Sequence, residues 1–243
     1  MRTIHVVQHT SAEFLGLIED HLEGRGVRFR YSRPFTGDGA LPLAGTLRDG
    51  LVLLGGGPWG SAGTRDLPAL EAEVELARAV FARGWPLIGI GLGAQIVAIA
   101  AGGKSQAAPL EFTVTRARRV CDDALAGYLP ESYPLAIYGR DRALPPPGAA
   151  ILSEDPRGRP ALWQLGSRTF GFSGHPGLKV AMAEDLIMEF EESPDGPEPA
   201  LAALRAAQRA LEDALVPIMT GLVQATGWMD PASGLESIPV RRA

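Results

Sequence analysis

The sequence predicts an α/β protein with an open, mainly parallel sheet flanked by helices and a helical extension at the C-terminus. Short apolar runs alternate with segments of helical spacing through residues 4–101, the order of elements found in such sheets. The run at residues 51–54 is apolar throughout, which is typical of a strand buried on both faces. Residues 200–226 are rich in Ala and Leu at helical spacing, which predicts the extension.

The first part of the chain predicts a series of strands and helices in alternation. The first helix follows Ser11, a residue type that commonly caps a helix N-terminus, and ends near Gly24. The second helix has acidic residues early and arginines late, the order that the helix dipole favours. The predicted strands are residues 4–7, 27–31, 51–54 and 86–90, and the other two predicted helices are residues 67–83 and 95–101.

The middle of the chain changes to short strands separated by turns, which predicts an antiparallel extension of the sheet. These predicted strands are residues 112–115, 135–138, 150–152, 161–165 and 169–172.

The C-terminal part predicts a helix at residues 184–191, a Pro-rich loop at 193–199 and a long helix at 200–226. We expect Pro217 to kink or split the long helix, because proline lacks the backbone N–H that a helix interior needs. The apolar stripe of this helix packs against its own domain or pairs with a partner helix, and both interpretations stay open. The stripe is Leu201, Leu204, Leu211, Leu215, Ile218 and Leu222.

The domain organisation follows from this order of elements. We assign residues 1–229 to one domain, in which residues 198–226 are the helical extension, and residues 230–243 to a loose tail.

Composition and charge exclude several classes of function. The formal charge is −5 and the Lys and Arg residues are scattered, which argues against a nucleic-acid partner. The single cysteine, Cys121, excludes an intramolecular disulfide and a Cys-based metal site, so we expect neither a metal nor a cofactor. No stretch is long and apolar enough for a signal peptide or a membrane span, and we therefore expect a cytoplasmic protein.

The most informative motif is Pro-Leu-Ile-Gly-Ile-Gly-Leu-Gly-Ala-Gln at residues 86–95. It predicts a buried strand that turns through closely spaced glycines directly into a helix, which is the geometry of a nucleophile elbow. The small residues let the strand and the helix pass close together, and the first backbone N–H groups of the helix are available to an anion. The residue at the tip of this elbow is Gly91.

At these residues the chain resembles the class I glutamine amidotransferases, whose hallmark is an apolar strand followed by Gly-Ile-Cys-Leu-Gly-x-Gln. Three further motifs occur in the family's order: Gly-Gly-Gly-Pro at residues 55–58, Leu144-Pro145 with Gly148, and residues 171–177 in place of Gly-x-Gln-Phe-His-Pro-Glu. The resemblance covers most of residues 1–190 and implies the fold and the glutaminase site of that family.

The departures from the family pattern imply that the chain lacks glutaminase activity. Gly91 stands at the position of the cysteine nucleophile and Gly177 at that of the acid of the triad, so His175 alone remains. A glycine has no side-chain atom that could form the covalent intermediate. The resemblance therefore implies a binding, regulatory or scaffolding subunit, with a partner synthase subunit or a second copy of the chain as its partner.

A ligand site could persist without the nucleophile, because an oxyanion hole is built from backbone N–H groups. We expect these donors from Gly56, Gly57 and Leu92, with the side chain of Gln95 beside them. A small carboxylate or a glutamine-like molecule fits such a site.

Two alternative functions remain open at the sequence level. One is a hydrolase or transferase in which His175 activates water at the oxyanion hole, with Glu111, Asp141 or Glu184 as the acid that orients it. The other is nucleotide binding at the elbow of residues 89–93, because Gly89, Gly91 and Ala94 fit a relaxed dinucleotide fingerprint, with Glu111 about 20 residues further on.

Two lesser interpretations concern the same region. Residues 98–105 also fit a relaxed phosphate-loop pattern, but they follow a predicted helix, whereas such a loop opens one. An engineered replacement of cysteine by Gly91 is a further alternative, which the second departure at Gly177 disfavours.

Overall fold

The computed structural model describes residues 2–37 and 39–229, so the tail predicted for residues 230–243 lies outside the described residues. The strands are β1 (Thr3–Val7), β2 (Arg28–Ser32), β3 (Leu51–Leu53), β4 (Leu87–Ile90), β5 (Lys104–Gln106), β6 (Glu111–Arg119), β7 (Ser132–Gly139), β8 (Arg142–Leu144), β9 (Ala150–Glu154), β10 (Pro160–Leu165) and β11 (Thr169–Phe172). The helices are α1 (Leu17–Glu23), α2 (Leu70–Phe81), α3 (Leu92–Ala100), α4 (Val180–Glu189) and α5 (Glu198–Thr226).

Nine of the strands form one open sheet in the order β2-β1-β3-β4-β11-β10-β9-β6-β7. The first five strands in this order pair in parallel, and the remaining four pair antiparallel, starting from the contact between β11 and β10. Strands β5 and β8 form a separate two-stranded sheet. The parallel part with an antiparallel extension confirms the fold class that the sequence predicts.

Helices cover both faces of the parallel part of the sheet. Successive residues of β3 show why, because Val52 packs in the cluster that contains α1 and α5, whereas Leu51 and Leu53 pack in the cluster that contains α2 and α3. Adjacent side chains of a strand point to opposite faces, so a strand between two helical layers must be apolar at every position. This is the physical origin of the uninterrupted apolar run.

The long helix α5 packs its apolar stripe against its own chain. Leu204, Leu211, Leu215, Ile218 and Leu222 are all buried, and the helix contacts α1, α4, β6 and β7. Packing within the domain, the first of the two interpretations of the stripe, therefore accounts for its burial. The helix also continues without a break through Pro217, so the predicted split does not occur.

Several predicted boundaries are wrong. Helix α1 begins at Leu17 after Gly16, and Ser11 does not cap it, because the backbone N–H and the hydroxyl of Ser11 donate to the Glu189 carboxylate. Helix α3 begins three residues earlier than predicted, directly after the elbow, and α4 lies at residues 180–189. Strands β5 and β8 are missing from the prediction, and β6 extends through the Arg-rich stretch to Arg119.

Among the helices of the described residues, none is long and apolar enough to cross a bilayer.

The burial of α5 predicts a large effect for a truncation within its stripe. Leu215 is fully buried, and we expect Leu215→Ala to lower the free energy of unfolding by about 2–5 kcal/mol, because the substitution leaves a cavity. The neighbouring Val216 is half exposed, so Val216→Ala should change this free energy by at most about 0.5 kcal/mol. Urea unfolding of both variants measures the difference, and equal effects would contradict the packing of α5.

Candidate functional site

The predicted elbow forms at the end of β4. Gly91 connects Ile90 of the strand to Leu92 of α3, with φ 56° and ψ −115°. Two flanking glycines allow the close crossing, since a Cβ on Gly89 would lie 2.3 Å from the Gly93 carbonyl oxygen, and one on Gly93 would lie 2.0 Å from that of Leu53. Side chains at these two positions would therefore collide with backbone that cannot move away.

The tip of the elbow has room for a side chain. The nearest atom to a Cβ built on Gly91 is the Gly55 Cα at 3.4 Å, an ordinary contact. A residue other than glycine in this backbone conformation costs on the order of 1–3 kcal/mol. The position is thus sterically open, and glycine removes its conformational strain.

The glycine-rich loop of residues 55–57 lies opposite the elbow. Glycine lets the loop pack closely, because a Cβ on Gly55 would lie 1.8 Å from the Glu13 carboxyl group and one on Gly56 would lie 2.4 Å from the Leu92 side chain, so either side chain would have to move. The Gly57 N–H, one of the expected oxyanion donors, points to the Glu13 carboxyl group at 3.4 Å. The structure therefore brings the loop and the elbow together, but it directs the Gly57 donor towards Glu13.

The Gln95 side chain lines the site but is itself held by hydrogen bonds. Its carbonyl oxygen accepts from the Ser61 hydroxyl at 2.6 Å, and its amide nitrogen donates to the Arg140 carbonyl at 2.7 Å. Gln95 thus connects α3 to the segments that follow the glycine-rich loop and β7.

Two cavities meet at Gly91. One of about 100 Å³ extends from Gly91 towards charged side chains of β6, β8 and the turn before β10. The second, of about 20 Å³, lies between the glycine-rich loop, Trp59 and Arg140. Ser173 lines both cavities, whereas His175 lines neither.

His175 is buried, and backbone groups are the partners of both of its ring nitrogens. Its Nε2 is 2.8 Å from the Phe14 carbonyl oxygen, and its Nδ1 accepts the Gly177 N–H at 3.1 Å. These two bonds require the neutral tautomer with the proton on Nε2. Burial lowers the pKa of His175 to about 4, and the hydrogen bond to Phe14 opposes this only in part.

None of the acids considered as partners of His175 hydrogen-bonds to its ring. Glu111 pairs with Arg142 at 3.3 Å, Glu184 pairs with Arg205 at the surface, and Asp141 accepts backbone N–H groups. With both ring nitrogens bonded to backbone, the imidazole has no orienting carboxylate in the described structure. The geometry therefore does not favour His175 as a general base.

Gly177 lies where α1 begins, and a larger residue there would be crowded. A Cβ on Gly177 would lie 3.0 Å from the Ile18 nitrogen and 3.1 Å from the Leu15 carbonyl oxygen. The Gly177 carbonyl in turn accepts the Leu17 N–H at 3.0 Å. The start of α1 occupies the position at which the resemblance predicts an acid.

A buried ionisable cluster that the sequence analysis missed lies beneath the glycine-rich loop. His9 Nδ1 is 2.9 Å from the Gly55 carbonyl oxygen, and its Nε2 is 2.8 Å from the Glu73 carboxylate. Desolvation lowers the pKa of His9, but the charge and the hydrogen bond of Glu73 outweigh it and raise the pKa overall. Burial raises the pKa of Glu13 to about 7. His9 and Glu13 lie in the loop between β1 and α1, whereas Glu73 lies in α2, so only the folded chain brings the three residues together.

The corner after β7 also connects the parts of the site. Asp141 has a positive φ of 59°, and its carboxylate accepts the N–H groups of Ser61, Ala62 and Ala108 at 2.9–3.0 Å. The preceding Arg140 donates from Nε to the Pro58 carbonyl at 2.7 Å. This corner fixes the segment that follows the glycine-rich loop.

Charged side chains surround the outer end of the larger cavity. Arg159 lies 2.6 Å from Asp155 and 3.8 Å from Glu111, which is also the partner of Arg142. The two arginines and the two acids offer both signs of charge to a ligand. In the described part of the chain, no group of three or more His, Cys, Asp or Glu residues could hold a metal ion.

The fold and the site together define the class of protein. It is an α/β protein in which a glycine turn joins a buried strand to a helix and lies opposite a glycine-rich loop. The family model described as class-I glutamine amidotransferase matches residues 30–176, which is more than half of the chain. The chain therefore belongs to the class I glutamine amidotransferase family, and the family resemblance inferred from the sequence is confirmed.

Similar proteins agree with this assignment. The chain is 32% identical over 130 residues to the glutamine-hydrolyzing GMP synthase of Aeropyrum pernix, a match that covers 53% of this chain and 24% of that protein. The matched region is thus about a quarter of the length of that GMP synthase.

Solved structures show the same fold. A glutamine amidotransferase from Methylobacillus flagellatus aligns with a TM-score of 0.77 at 21% identity, covering 93% of this chain and 95% of that one. One from Thermotoga maritima aligns with a TM-score of 0.77 at 19% identity, covering 93% and 98%.

The buried, neutral His175 predicts a loss of stability in acid. Its pKa is about 4 in the folded chain against an ordinary 6.5, so the unfolded chain binds the proton more readily between these values. Above pH 6.5 the neutral imidazole does not lower the free energy of unfolding. As the pH falls to about 4, this free energy decreases by roughly 3 kcal/mol in total.

Replacing this histidine should flatten the acid branch of the stability profile. We expect the unfolding free energy of His175→Gln to vary less than that of the wild type between pH 6.5 and pH 4. Denaturant unfolding at several pH values measures both profiles. His5 and His21 titrate in both proteins, so the difference isolates His175, and parallel profiles would contradict its burial in the neutral form.

The three hydrogen bonds that the Asp141 carboxylate accepts should contribute more to the stability of the fold than the strained backbone of this residue costs. We expect Asp141→Asn to lower the free energy of unfolding by about 1–3 kcal/mol, because one N–H would face an amide donor. Asp141→Gly relieves the positive φ yet removes every acceptor, and it should be the less stable variant. Thermal unfolding compares them with Asp123→Asn at an exposed control position, and a Gly variant more stable than the wild type would contradict this role.

Proposed function

We propose that this chain is a class I glutamine amidotransferase-like protein without glutaminase activity, which serves as a binding, regulatory or scaffolding subunit. The observation that carries the proposal is the absence of any side-chain atom at the tip of the elbow, where Gly91 faces the glycine-rich loop. Covalent chemistry requires a nucleophile at that position.

The surroundings of the elbow support the same conclusion. His175 is buried, neutral and bonded to backbone on both ring nitrogens. The neighbouring Gly177 is packed against the start of α1, which excludes an acidic side chain without local rearrangement. An elbow that lacks nucleophile, base and acid retains only its backbone donors and its cavities.

The charged side chains at the border of the larger cavity indicate the chemical class of the ligand. The larger cavity joins Gly91 to a border of two arginines and two acids, which suits a small molecule that carries both a carboxylate and an ammonium group. We propose a glutamine-like or small carboxylate ligand at Gly91, where the two cavities meet, with the backbone N–H groups of Leu92 and Gly56 in the smaller cavity as donors. A synthase subunit or a second copy of this chain is the partner that such a subunit implies.

The two alternative functions receive no support from specific contacts. A water-activating His175 would need a free ring nitrogen that faces the cavity, and both are engaged elsewhere. The acid of the dinucleotide fingerprint, Glu111, lies on the antiparallel strand β6 and pairs with Arg142.

Release of ammonia from glutamine tests the proposal. We expect none from the wild type above the uncatalysed rate. We also expect little from Gly91→Cys in a Cys121→Ser background, because that thiol would have no imidazole to activate it. Gly91→Ala in the same background is the control for backbone strain.

Alkylation by iodoacetamide shows whether the introduced thiol is accessible in the cavity. A variant that is alkylated but releases no ammonia has an accessible thiol that is not activated, whereas a variant that is not alkylated has an inaccessible thiol. Turnover by the wild type would refute the proposal. Full turnover by Gly91→Cys would show that the site lacks only its nucleophile.

A further inference from the structure

Two arginines near the elbow meet at one carboxylate. Arg140 donates from Nη2 to Oε1 of Glu192, and Arg65 donates from Nη1 to Oε2 of the same side chain. Arg140 belongs to the corner after β7, Arg65 to the loop after residue 58, and Glu192 to the connection between α4 and α5. Each oxygen of the carboxylate thus has its own guanidinium.

Contacts other than Glu192 hold the two arginines in place. The Arg140 side chain is 6% exposed, its Nε donates to the Pro58 carbonyl, and its methylene groups pack on Gly60. The Arg65 guanidinium lies 4.7 Å from the centre of the Trp59 ring, in a cation–π contact. The pair is therefore preorganised to bind a planar group with two oxygens.

The carboxylate is the replaceable member of this group. The Glu192 side chain is 41% exposed and belongs to a connection without helix or strand. The hydrogen bond from Arg65 lowers the pKa of Glu192 below its usual range, so the group is anionic at neutral pH. Leaving a buried guanidinium without an anion is strongly unfavourable, so Arg140 requires either Glu192 or a substitute.

The arginine pair adjoins the elbow. Arg140 and Trp59 line the smaller cavity together with Gly56, Gly91 and Leu92. Arg140 is the residue common to the arginine pair and the cavity, so a carboxylate bound to the two arginines would lie next to this cavity.

We propose that Arg65 and Arg140 form a carboxylate-binding site that Glu192 occupies as an internal substitute and that a small carboxylate enters by displacing it. This inference rests on the proposed binding function and specifies its ligand chemistry. Displacement of Glu192 breaks the ion pairs that tie the connection between α4 and α5 to Arg65 and Arg140. Because an internal carboxylate acts at an effective concentration in the millimolar range, it weakens the binding of every external one.

The test compares carboxylates with and without the internal competitor. Isothermal titration calorimetry with malonate, succinate and glutarate measures binding to the wild type and to Glu192→Gln, and succinamide is the neutral control ligand. We expect Glu192→Gln to bind at least one dicarboxylate about tenfold or more tightly than the wild type does. Glu191→Gln, at the adjacent exposed acid, should bind as the wild type does.

Two further variants test the site itself. Arg65→Gln in the Glu192→Gln background should abolish the gain, whereas Arg205→Gln, which removes a surface ion pair elsewhere, should leave it unchanged. Binding should also change the fluorescence of Trp59 under Arg65, and Trp59→Phe should remove that change.

Equal affinity of the wild type and Glu192→Gln, or no binding to a Glu192→Gln protein with normal circular dichroism, would overturn the inference. Should Glu192→Gln fail to fold, millimolar succinate must bind to the wild type and lose affinity in Arg65→Gln, and the absence of that loss would overturn it as well. Ammonia release from glutamine bears only on the proposed function, so either idea can fail without the other.

Discussion

The close crossing of β3, β4 and α3 is the constraint on which the rest of the site depends. The backbone at Gly93 lies directly against the Leu53 carbonyl, and the backbone at Gly89 lies against Gly93. This packing forces the chain to reverse direction at residue 91 with a positive φ. At the start of α3 the Gly93 N–H donates to the Leu54 carbonyl and the Ala94 N–H donates to the Gly91 carbonyl. The donor that this end of the helix offers is therefore the Leu92 N–H, whatever residue occupies the tip. The shape of an elbow site thus persists independently of its chemistry.

His175 and Gly177 are held by packing against the start of α1 and the loop before it. The start of α1 lies on Gly177, and the imidazole that remains is bonded to the backbone around it. In this arrangement His175 connects the end of the sheet to the β1–α1 loop, which is a structural role. A residue type typical of catalysis is therefore retained here by contacts that stabilise the fold.

Much of the fold follows from local sequence patterns, but the site follows only in part. The apolar run of β3 and the closely spaced glycines of the elbow are patterns of consecutive residues, so the sequence predicts them. The roles of Arg140, Asp141 and Glu13 depend on contacts between residues more than 40 positions apart, such as Asp141 with Ser61 and Glu13 with Gly57. Contacts between residues so far apart leave no periodic pattern in the sequence, so the sequence does not predict them. Ser11 shows the converse, since a good local cap is overruled by the distant Glu189.

The carboxyl group of Glu13 has a consequence for any anion that binds at the elbow. With a pKa of about 7, it exchanges its proton close to neutrality, directly under the loop whose Gly57 N–H points to it. A second negative charge nearby makes its ionised form less favourable. An arriving carboxylate therefore draws a proton from solvent onto Glu13, and the heat measured on binding depends on the ionisation enthalpy of the buffer.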